Sequence, residues 1–505
     1  MLSGLRYLGV LCGAALLASC NGSQTPEPPH IILLVADDLG LDVAPCHSVD
    51  VRMPYLQSLC DRALVFDRAY THPYCTASRA SLMTGRHPFR HGADDVRAEA
   101  RKLPLAEVTL AELIRDDSPH DYRTAGFGKW HLADDDNGSE RNPNLQGFDH
   151  YAGNPRQHHT YKYFDYDWFE NGELIGNIEV YKTSYIVDQV LDYFSSETDK
   201  TPRFAMVNFT SPHKPFHAPP KHLHSYGPLP PLTLTGTRSD QPGANEYRAN
   251  RREPRLDPYY HAMLVALDTE IERLVTTLAR AEDRPILFVF LGDNGSAAEV
   301  FDAIDTEAVR SKATLYDGGV RVPLMLWSSR PEDLSVRTAR SERLIHLADL
   351  FPTLADVAGV EAEQIAQAQL ALDGVSFAAD LRRDAQDPSP ARDFVFLERG
   401  NDETLPFAYG AADAHGLKVI LRDPERATNY SDGRLVEIYD TAADPLEQRN
   451  LLTTPCDVPL ERVQALMDFI VSKASQNEAH SDWFQAGLYR AQIERLNSVC
   501  EDFGN

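Results

Sequence analysis

A single cysteine followed four residues later by an arginine is the first feature that suggests chemistry. Cys75 and Arg79 lie in the segment HPYCTASRASLMTGRHPFRHG. The residues from Thr76 onward have helical character, so Cys75 is expected near a helix N-terminus, where free backbone amides favour an anion. Arg79 would project from the same face of that helix. Cys75 could be a buried apolar residue, half of a disulfide, a metal ligand or a nucleophile, and its surroundings would favour a thiolate.

Two apolar runs end in pairs of oxygen-bearing side chains. HIILLVADD ends at Asp37 and Asp38, and RPILFVFLGDN ends at Asp293 and Asn294. Either pair alone is also what a turn after a strand favours. The two pairs together favour a site for a hard divalent cation, Ca²⁺ or Mg²⁺, because zinc would prefer histidine or cysteine ligands. A plain cysteine nucleophile would instead need a neighbouring base.

The two apolar runs also indicate how these side chains are positioned. Runs of this length, rich in β-branched and aromatic residues, are typical of strands buried on both faces of a parallel sheet. Segments of helical period lie between them, including residues 183–194 and 258–281. Alternating strands and helices predict an α/β fold of the doubly wound type, in which ligands bind at the carboxyl ends of the strands. The pairs Asp37–Asp38 and Asp293–Asn294, called the acidic pairs below, fall at that edge.

The pattern changes near residue 390, where short strand-like segments and polar turns replace the long apolar runs. A helical segment follows, from about Pro459 to Ser475. This predicts a large α/β domain over residues 30–390 and a C-terminal α+β subdomain over residues 391–505, with a small antiparallel sheet packed against helices. The expected short strands are Asp393–Leu397, His415–Arg422 and Arg434–Tyr439.

The N-terminus is typical of an export signal. Arg6 precedes an apolar run, Tyr7–Ser19, that is too short to span a bilayer comfortably. The run ends in LASC, which resembles the lipobox of bacterial lipoproteins and makes Cys20 the lipidated first residue; an ordinary cleaved signal peptide is the alternative. We therefore expect a signal peptide over residues 1–19, a proline-rich tether over residues 20–29, and a lipid-anchored protein of the bacterial cell envelope, in the periplasm or at the outer membrane surface.

Export makes the remaining cysteines informative, because disulfides form in oxidising compartments. The chain has seven cysteines, of which four remain apart from those in the N-terminal region and Cys75. Sequence proximity favours pairing Cys46 with Cys60 and Cys456 with Cys500, and four buried thiols are the alternative. Either way, Cys75 is left over.

The overall charge restricts the partners. The net charge is −26 at pH 7, so the field of the protein would oppose binding of nucleic acid phosphates. An anionic small substrate remains compatible with this charge where a site concentrates positive charge locally.

Several motifs together resemble one enzyme family. CTASR, residues 75–79, resembles the C-x-[PA]-x-R signature of type I sulfatases and is followed by the matching ASLMTGRHP. Six further motifs in order make the resemblance very specific, and the chain is identified as a member of this formylglycine-dependent family, of the cysteine type and a bacterial lipoprotein. The other segments similar to family motifs are LLVADDLG (33–40), GFGKWHL (126–132), SPHKPFHAP (211–219), LGDNG (291–295), SKATLYDGGVRVP (311–323) and EIYDTAADPLEQRNLL (437–452).

The resemblance implies a fold, a modification and a metal. The fold would be alkaline-phosphatase-like, with a large, mostly parallel sheet flanked by helices and a smaller C-terminal domain. A sulfatase-maturating enzyme would oxidise Cys75 to formylglycine. A divalent cation, Ca²⁺ rather than Mg²⁺, would be held by Asp37, Asp38, Cys75, Asp293 and Asn294.

The resemblance also implies a two-step reaction. Arg79, Lys129 and Lys312 would add positive charge around the sulfate. One hydroxyl of the formylglycine hydrate would attack sulfur while His213, with Lys312, assists the departing alcohol. His131 would then deprotonate the second hydroxyl, so that the sulfated hemiacetal collapses to an aldehyde and inorganic sulfate. If Thr124–Leu132 is a strand, Lys129 and His131 point to the same face.

The expected function is therefore release of inorganic sulfate from a sulfate monoester, with a sulfated saccharide as the expected substrate. One alternative is a phosphonate or phosphate monoester hydrolase, since relatives use the same nucleophile and metal arrangement. Another is a surface lipoprotein that binds sulfated glycans without cleaving them, although no mapped catalytic position is lost. The arginine-bearing insertion 236–258 and the aromatic segment 153–168 could line a sugar pocket, or could be a solvated loop and a packing segment.

Overall fold

Two sheets and the helices around them make up the part of the chain that the computed structural model describes. The described residues are 27–48, 52–94, 102–156, 162–196, 200–225, 227, 229, 257–300, 310–332, 334, 336–368, 371–382, 389–400, 407–422, 436–453 and 459–476. Fourteen strands lie within them: ten form one sheet, and four near the C-terminus form another.

The elements alternate along the chain as the apolar patterns predict. The strands of the large sheet are β1 (His30–Ala36), β2 (Leu64–Tyr70), β3 (Arg123–Lys129), β4 (His150–Asn154), β5 (Tyr166–Glu170), β6 (Glu173–Ile178), β7 (Arg203–Asn208), β8 (Ile286–Gly292), β9 (Leu324–Ser328) and β10 (Ala339–His346). The small sheet contains β11 (Phe394–Arg399), β12 (Ala408–Asp413), β13 (Leu417–Arg422) and β14 (Val436–Asp440). The helices are α1 (Pro54–Leu59), α2 (Cys75–Thr84), α3 (Pro88–His91), α4 (Leu110–Asp117), α5 (Asn142–Leu145), α6 (Lys182–Ser196), α7 (Asp257–Ala281), α8 (Asp317–Val320), α9 (Leu350–Val357), α10 (Ala362–Ala368), α11 (Ala378–Leu381) and α12 (Leu460–Ala474).

The large sheet is mostly parallel around β1, as predicted. Its strand order is β10-β2-β9-β8-β1-β7-β3-β4-β5-β6. β1 pairs in parallel with β7 and β8, and β3 pairs in parallel with β7 and β4. β9 is antiparallel to both of its neighbours, and β5 and β6 form an antiparallel hairpin at one edge. Every residue of β1, β7 and β8 is buried, which explains their nearly continuous apolar sequences.

Alternate residues of β1 enter two different cores. Ile32 and Leu34 belong to a cluster that includes residues of α6 and α7. Leu33 and Val35 belong to a second cluster, which includes residues of α2, α4 and α9. Since successive strand residues face opposite sides, the sheet lies between two helical layers that hold its edge, and the site at that edge, in place.

The small sheet is antiparallel, in the order β11-β12-β13-β14. β11, β13 and β14 correspond to the three predicted strands, whereas β12 was not predicted. Leu466 and Ile470 of α12 pack against it within one apolar cluster. A separate cluster joins it to the large domain, with Leu315 and Tyr316 packed together with Ile420 and other residues of the sheet.

One predicted disulfide is confirmed. Cys46 and Cys60 are bonded, with Cα atoms 5.7 Å apart. Among the cysteines that the structure describes, Cys75 is the one outside a disulfide, and it is buried. Cys456 and Cys500 lie outside the described residues, so the second pairing stays a prediction.

The predicted N-terminal features lie outside the described residues, as do nearly all of the arginine-bearing insertion and five residues of the aromatic segment. This applies to the signal peptide, to Cys20 and most of the tether, to residues 236–256 and to residues 157–161. Within the described ranges, no helix combines the length and the apolar character that crossing a bilayer requires.

Candidate active site

The two acidic pairs meet because they follow neighbouring parallel strands. Ala36 at the end of β1 is in register with Gly292 at the end of β8. The carboxyl ends of the two strands therefore meet at one edge of the sheet, although they are far apart in sequence. The backbone N–H of Asp38 donates to Oδ1 of Asp293 at 3.0 Å, which joins the two pairs directly.

A turn in the left-handed region brings both aspartates of the first pair into the site. In a continuing strand, Asp37 and Asp38 would face opposite sides of the sheet. β1 ends at Ala36, however, and Asp38 has φ of 64°. This conformation is uncommon for a residue with a side chain, and such residues cluster at functional sites.

The helix N-terminus predicted near Cys75 is present, since α2 begins at Cys75 itself. The preceding residue, Tyr74, provides no side-chain cap, so the first amides of α2 are not satisfied in that way. Ligand atoms of Asp37, Cys75 and Asp293 lie within 4.8 Å of one another. The thiol therefore lies beside the acidic pairs and within reach of a shared cation.

Arg79 is buried one turn after Cys75 in α2, and its guanidinium binds Asp293. Its Nε donates to Oδ2 of Asp293 at 2.9 Å, and its Nη2 lies 2.8 Å from the same oxygen. Its Nη1 donates to the carbonyl of Lys129 at 3.0 Å and to Oδ1 of Asn208 at 2.9 Å. Arg79 thus fixes the carboxylate of Asp293 and the ends of β3 and β7. Its charge therefore acts on the site through Asp293.

Asn208 was missed by the sequence reasoning, although a signal was present. It ends RFAMVN, an apolar run followed by a polar residue, and lies at the carboxyl end of β7. The same rule that identified the ends of β1 and β8 applies to this strand.

Residues 124–132, which contain Lys129 and His131, are not a continuous strand, so the condition on which the two side chains were expected to share a face is not met. β3 ends at Lys129, and His131 has φ of 68°. Both side chains nevertheless reach the site: Nζ of Lys129 lies 2.6 Å from Oδ2 of Asp37, and Nδ1 of His131 lies 3.2 Å from Sγ of Cys75. The chain turn after β3 produces this convergence.

His213 and Lys312 approach the other carboxylate. Nζ of Lys312 forms an ion pair with Oδ1 of Asp38. Nε2 of His213 lies 3.7 Å from Oδ2 of Asp38, and its Nδ1 hydrogen-bonds the carbonyl of Lys214. Since a carbonyl only accepts, Nδ1 carries a proton and the Nε2 of a neutral His213 presents a lone pair to the site.

The oxygen donors fit a divalent cation. Among the described residues, Oδ1 of Asp37, Oδ2 of Asp38 and Oδ1 of Asn294 are buried and have no hydrogen-bond partner. Buried polar atoms are normally paired, so three such oxygens in one site indicate a missing ligand. A cation that accepts only oxygen atoms, such as Ca²⁺ or Mg²⁺, matches this set.

The protonation of the site follows from burial and from its cations. Burial raises the pKa of Asp37 to about 7, and the nearby Lys129 opposes the rise. Burial would also raise the pKa of Asp38, but Lys312 and His213 hold it below its usual value. Burial, together with Lys129, lowers the pKa of His131 well below its usual value, so His131 is neutral at pH 7 and can accept a proton.

The aromatic segment packs behind the site where it is described. Tyr163 and Trp168 are almost completely buried. The Tyr163 hydroxyl lies 2.6 Å from the carbonyl of His213 and 2.9 Å from that of Thr210, and so supports the loop that carries His213. For these residues the packing interpretation holds rather than the pocket-lining one.

A second cluster, of histidines, does not favour a metal. His72, His87 and His346 bring ring nitrogens within 4.8 Å of one another. The N–H of Glu398 donates to Nδ1 of His72 at 3.4 Å, and the N–H of Ala348 donates to Nδ1 of His346 at 3.1 Å. A neutral imidazole whose Nδ1 accepts carries its proton on Nε2, which is then not free to bind a metal. We interpret the cluster as neutral histidines in the core.

The chain is similar in sequence to known sulfatases. The sulfatase family model matches residues 29–360. An ulvan-active sulfatase of Formosa agariphila is 28% identical over 478 residues, which cover 90% of this chain and 84% of the relative. Human arylsulfatase A is 26% identical over 520 residues, which cover 96% of this chain and 95% of the relative.

Solved structures share the fold. The complex of Ps i-CgsB with k-i-k-neocarrahexaose has a TM-score of 0.67 at 21% identity, covering 89% of this chain and 92% of that one. The complex of BT4656 with D-glucosamine-2-N,6-O-disulfate has a TM-score of 0.69 at 20% identity, covering 90% and 98%. At these identities the likeness supports the architecture.

Proposed function

Because the chain belongs to the sulfatase family and is a sulfate ester hydrolase, we propose that its substrate is a sulfated saccharide and that Cys75, once oxidised to formylglycine, provides its nucleophile. The observation that carries this proposal is the position of Cys75. Its sulfur lies at the N-terminus of a buried helix, shares a 4.8 Å cluster with Asp37 and Asp293, and contacts His131. In this position, Sγ stands in for the oxygen of the modified side chain.

A divalent cation would complete the site. Ca²⁺ is the proposed ion, and when bound it would supply positive charge to a sulfate oxygen. The proposed ligands are Asp37, Asp38, Asp293, Asn294 and the modified Cys75.

The protein cations would bind and orient the sulfate. Lys129 is in contact with the carboxylate of Asp37, and Lys312 with that of Asp38. Together with the N-terminus of α2, they provide a concentrated positive field inside a protein of net charge −26. Arg79 would contribute by fixing Asp293.

The proton transfers follow from which groups are charged. His131 is neutral and contacts the atom at position 75, so it is the proposed proton acceptor there. Burial opposes the charge of Lys312, yet Asp38 raises its pKa above the usual value, so Lys312 carries a proton toward the departing oxygen. His213 presents a lone pair at Nε2, and it would take up a proton as the anionic substrate binds, before sharing in this step.

The saccharide class is proposed from the relatives. The similar proteins include enzymes named for ulvan and for N-acetylglucosamine 6-O-sulfate, and structures in complex with a carrageenan-type hexaose and a disulfated glucosamine. Anchoring through Cys20 at the bacterial cell envelope would place the enzyme where such external polymers arrive. A sulfatase-maturating enzyme is the proposed second partner.

The test combines released sulfate with the mass of one peptide. Purified full-length protein is incubated with a panel of sulfated mono- and oligosaccharides, with 4-nitrophenyl sulfate and a phenyl phosphonate ester for comparison. We expect sulfate release from at least one saccharide, loss of at least 10³-fold in Cys75→Ala, and a peptide mass that shows an aldehyde in place of the thiol. An active preparation with an intact thiol would contradict the nucleophile, and turnover of the phosphonate alone would contradict the function.

A further inference from the structure

The segment that carries Lys312 lies between the two sheets. On the side of the active site, the N–H of Lys312 donates to the carbonyl of Ser296 at 3.0 Å, and the N–H of Ala313 donates to that of Pro73 at 3.1 Å. These bonds join the segment, residues 311–318, to the loop after β8 and to the residues that precede α2. Its active-site face is therefore fixed next to Asp38.

Buried charges of the C-terminal subdomain also hold this segment, one on the small sheet and one in the chain that follows it. Lys418, on β13, is fully buried; its Nζ donates to the carbonyl of Leu315 at 3.1 Å and forms an ion pair with Asp317. Glu447 accepts a hydrogen bond from the N–H of Asp317 at 2.5 Å and lies 2.8 Å from Nζ of Lys418. Lys418 and Glu447 thus hold two backbone groups and one side chain within the segment.

Apolar packing also joins the two domains at this segment. Leu315, Tyr316 and Val320 already pack into an apolar cluster with residues of the small sheet. A buried ion pair must be desolvated, and apolar replacements are often as stable or more stable. The charged groups add a defined position for the segment, since each of their hydrogen bonds specifies where one of its backbone atoms lies.

We propose that Lys418 and Glu447 are positioning residues of the active site, which act through segment 311–318 on Lys312. The inference rests on the proposed function, in which Lys312 assists the departing oxygen. Neither residue touches the substrate. Both lie in the C-terminal subdomain, and through them this subdomain sets the position of Lys312 relative to Asp38.

The expected effect is on turnover. A displacement of about 1 Å in a positioned group can cost roughly 10²-fold in rate. Lys418→Met keeps an unbranched side chain but removes both polar contacts to the segment. We expect kcat to fall at least tenfold with KM changed less than threefold, because the displaced group assists departure more than binding.

The decisive experiment is a double-mutant cycle with Lys312→Met, on the saccharide from which the wild type releases most sulfate in the panel above. If Lys418 acts through Lys312, adding Lys418→Met to Lys312→Met changes kcat less than twofold. Independent, multiplying effects would overturn the inference. A wild type without sulfate release would instead overturn the proposed function, so the two failures are distinguishable.

A matched control distinguishes the displacement of Lys312 from a general loss of protein stability. Leu466→Ala creates a cavity in the core between α12 and the small sheet, a cluster that contains no residue of segment 311–318. At a temperature where each variant is folded, its kcat should stay within twofold of the wild type. A loss equal to that of Lys418→Met would overturn the inference.

A second variant covers the case in which Lys418→Met does not fold. Glu447→Gln keeps an oxygen that can accept from the N–H of Asp317 but removes the charge beside Lys418. It should lower kcat three- to tenfold, and this loss should also disappear in the Lys312→Met background. Persistence of the loss in that background would contradict positioning through Lys312.

Discussion

Asp38 shows how much one carboxylate organises in this site. Its Oδ1 accepts from Nδ2 of Asn294 at 2.9 Å and pairs with Lys312, while its Oδ2 faces His213 and has no hydrogen-bond partner among the described residues. One oxygen is therefore satisfied by the protein and the other is left for a cation. The proposed metal, proton donor and histidine all depend on this side chain, so its position affects every part of the reaction.

Removal of the divalent cation is expected to abolish activity and to lower the melting temperature. Without the ion, the buried carboxylates of Asp37, Asp38 and Asp293 face one another with their charges incompletely compensated. A cation at about 100 times its Kd stabilises the folded state by roughly 2.7 kcal/mol. The measurement is the melting temperature and sulfate release after chelation with EGTA and after Ca²⁺ is restored.

A matched variant makes this prediction specific. Asp38→Asn should reduce the Ca²⁺-dependent rise in melting temperature, whereas Asp413→Asn, which removes a carboxylate of β12 that pairs with Arg462 of α12, should leave the rise unchanged. Equal melting temperatures with and without Ca²⁺ in the wild-type protein would argue against the metal site.

At the same scale, the sequence predicts which residues matter better than how they converge. Asp37, Asp38, Asp293 and Asn294 could be predicted because apolar strands end at them. The convergence of His131 could not, because it depends on a left-handed residue after β3 that no local pattern indicates. The contact of Arg79 with Asp293 likewise requires the long-range approach of α2 to the end of β8.

At the scale of elements, the end of β3 depends on one glycine. Gly128 has φ of 81°, and a Cβ there would lie 2.0 Å from the carbonyl oxygen of Asn208. Gly128→Ala should therefore separate β3 from β7 locally and displace the adjacent Lys129 from Asp37. We expect a loss of about 1–2 kcal/mol from the backbone conformation alone, a larger total loss in urea unfolding, and at least tenfold lower activity.

The control for this substitution is Gly227→Ala. A Cβ at Gly227 meets nothing within 4 Å. Its stability and activity should therefore remain close to those of the wild type. A Gly128→Ala variant as active as Gly227→Ala would show that the contact between β3 and β7 does not position Lys129.

The histidine cluster predicts how stability depends on pH. Burial lowers the pKa of His72 to about 3, and it lowers the pKa of His87 and His346 well below 6.5. Below pH 6.5 the unfolded chain binds protons that the folded chain does not, so stability falls as the pH decreases. Each such histidine contributes a slope of up to about 1.4 kcal/mol per pH unit.

His346→Asn isolates one of these contributions. Asparagine can still accept the hydrogen bond from Ala348 that His346 accepts at the start of a short helix, but it does not titrate. Urea unfolding between pH 5 and 6.5 should show a slope reduced by about one proton. An unchanged slope in His346→Asn would contradict the interpretation.

Elements were predictable where a strand is buried on both faces. β1 and β8 follow the apolar runs closely, and α6, α7 and α12 begin and end within one or two residues of their predicted limits. β12 was missed because AYGAAD has few β-branched residues. Its strand conformation comes from pairing with β11 and β13 on both sides, which is tertiary information.

At the scale of the whole molecule, the two sheets form an interdependent structure. Tyr70 of β2 and Leu315, which belongs to segment 311–318, are buried in the same cluster as Val395 and Tyr439 of the small sheet. Glu398 of β11 accepts from the N–H of Phe89, close to the C-terminal end of α2. The family model ends at residue 360, but the contacts around the site continue beyond it.

A chain that ends at residue 390 is therefore expected to be inactive and largely insoluble. The truncation removes the small sheet and exposes Leu315 and Tyr70, which lie in the apolar cluster between the domains. It also removes Lys418 and Glu447 from the segment that carries Lys312. The soluble fraction and sulfate release are measured beside the full chain, and a soluble, active 1–390 protein would contradict this dependence.

The burial of α2 limits when Cys75 can be oxidised. All ten residues of this helix are inaccessible in the finished fold, and Cys75 is 1% exposed. A maturating enzyme must take the thiol into its own catalytic centre, so on our proposal it has to meet the peptide before the helix docks. Oxidation and folding would then compete during synthesis and export, and a copy that folds first would keep its thiol and remain inert.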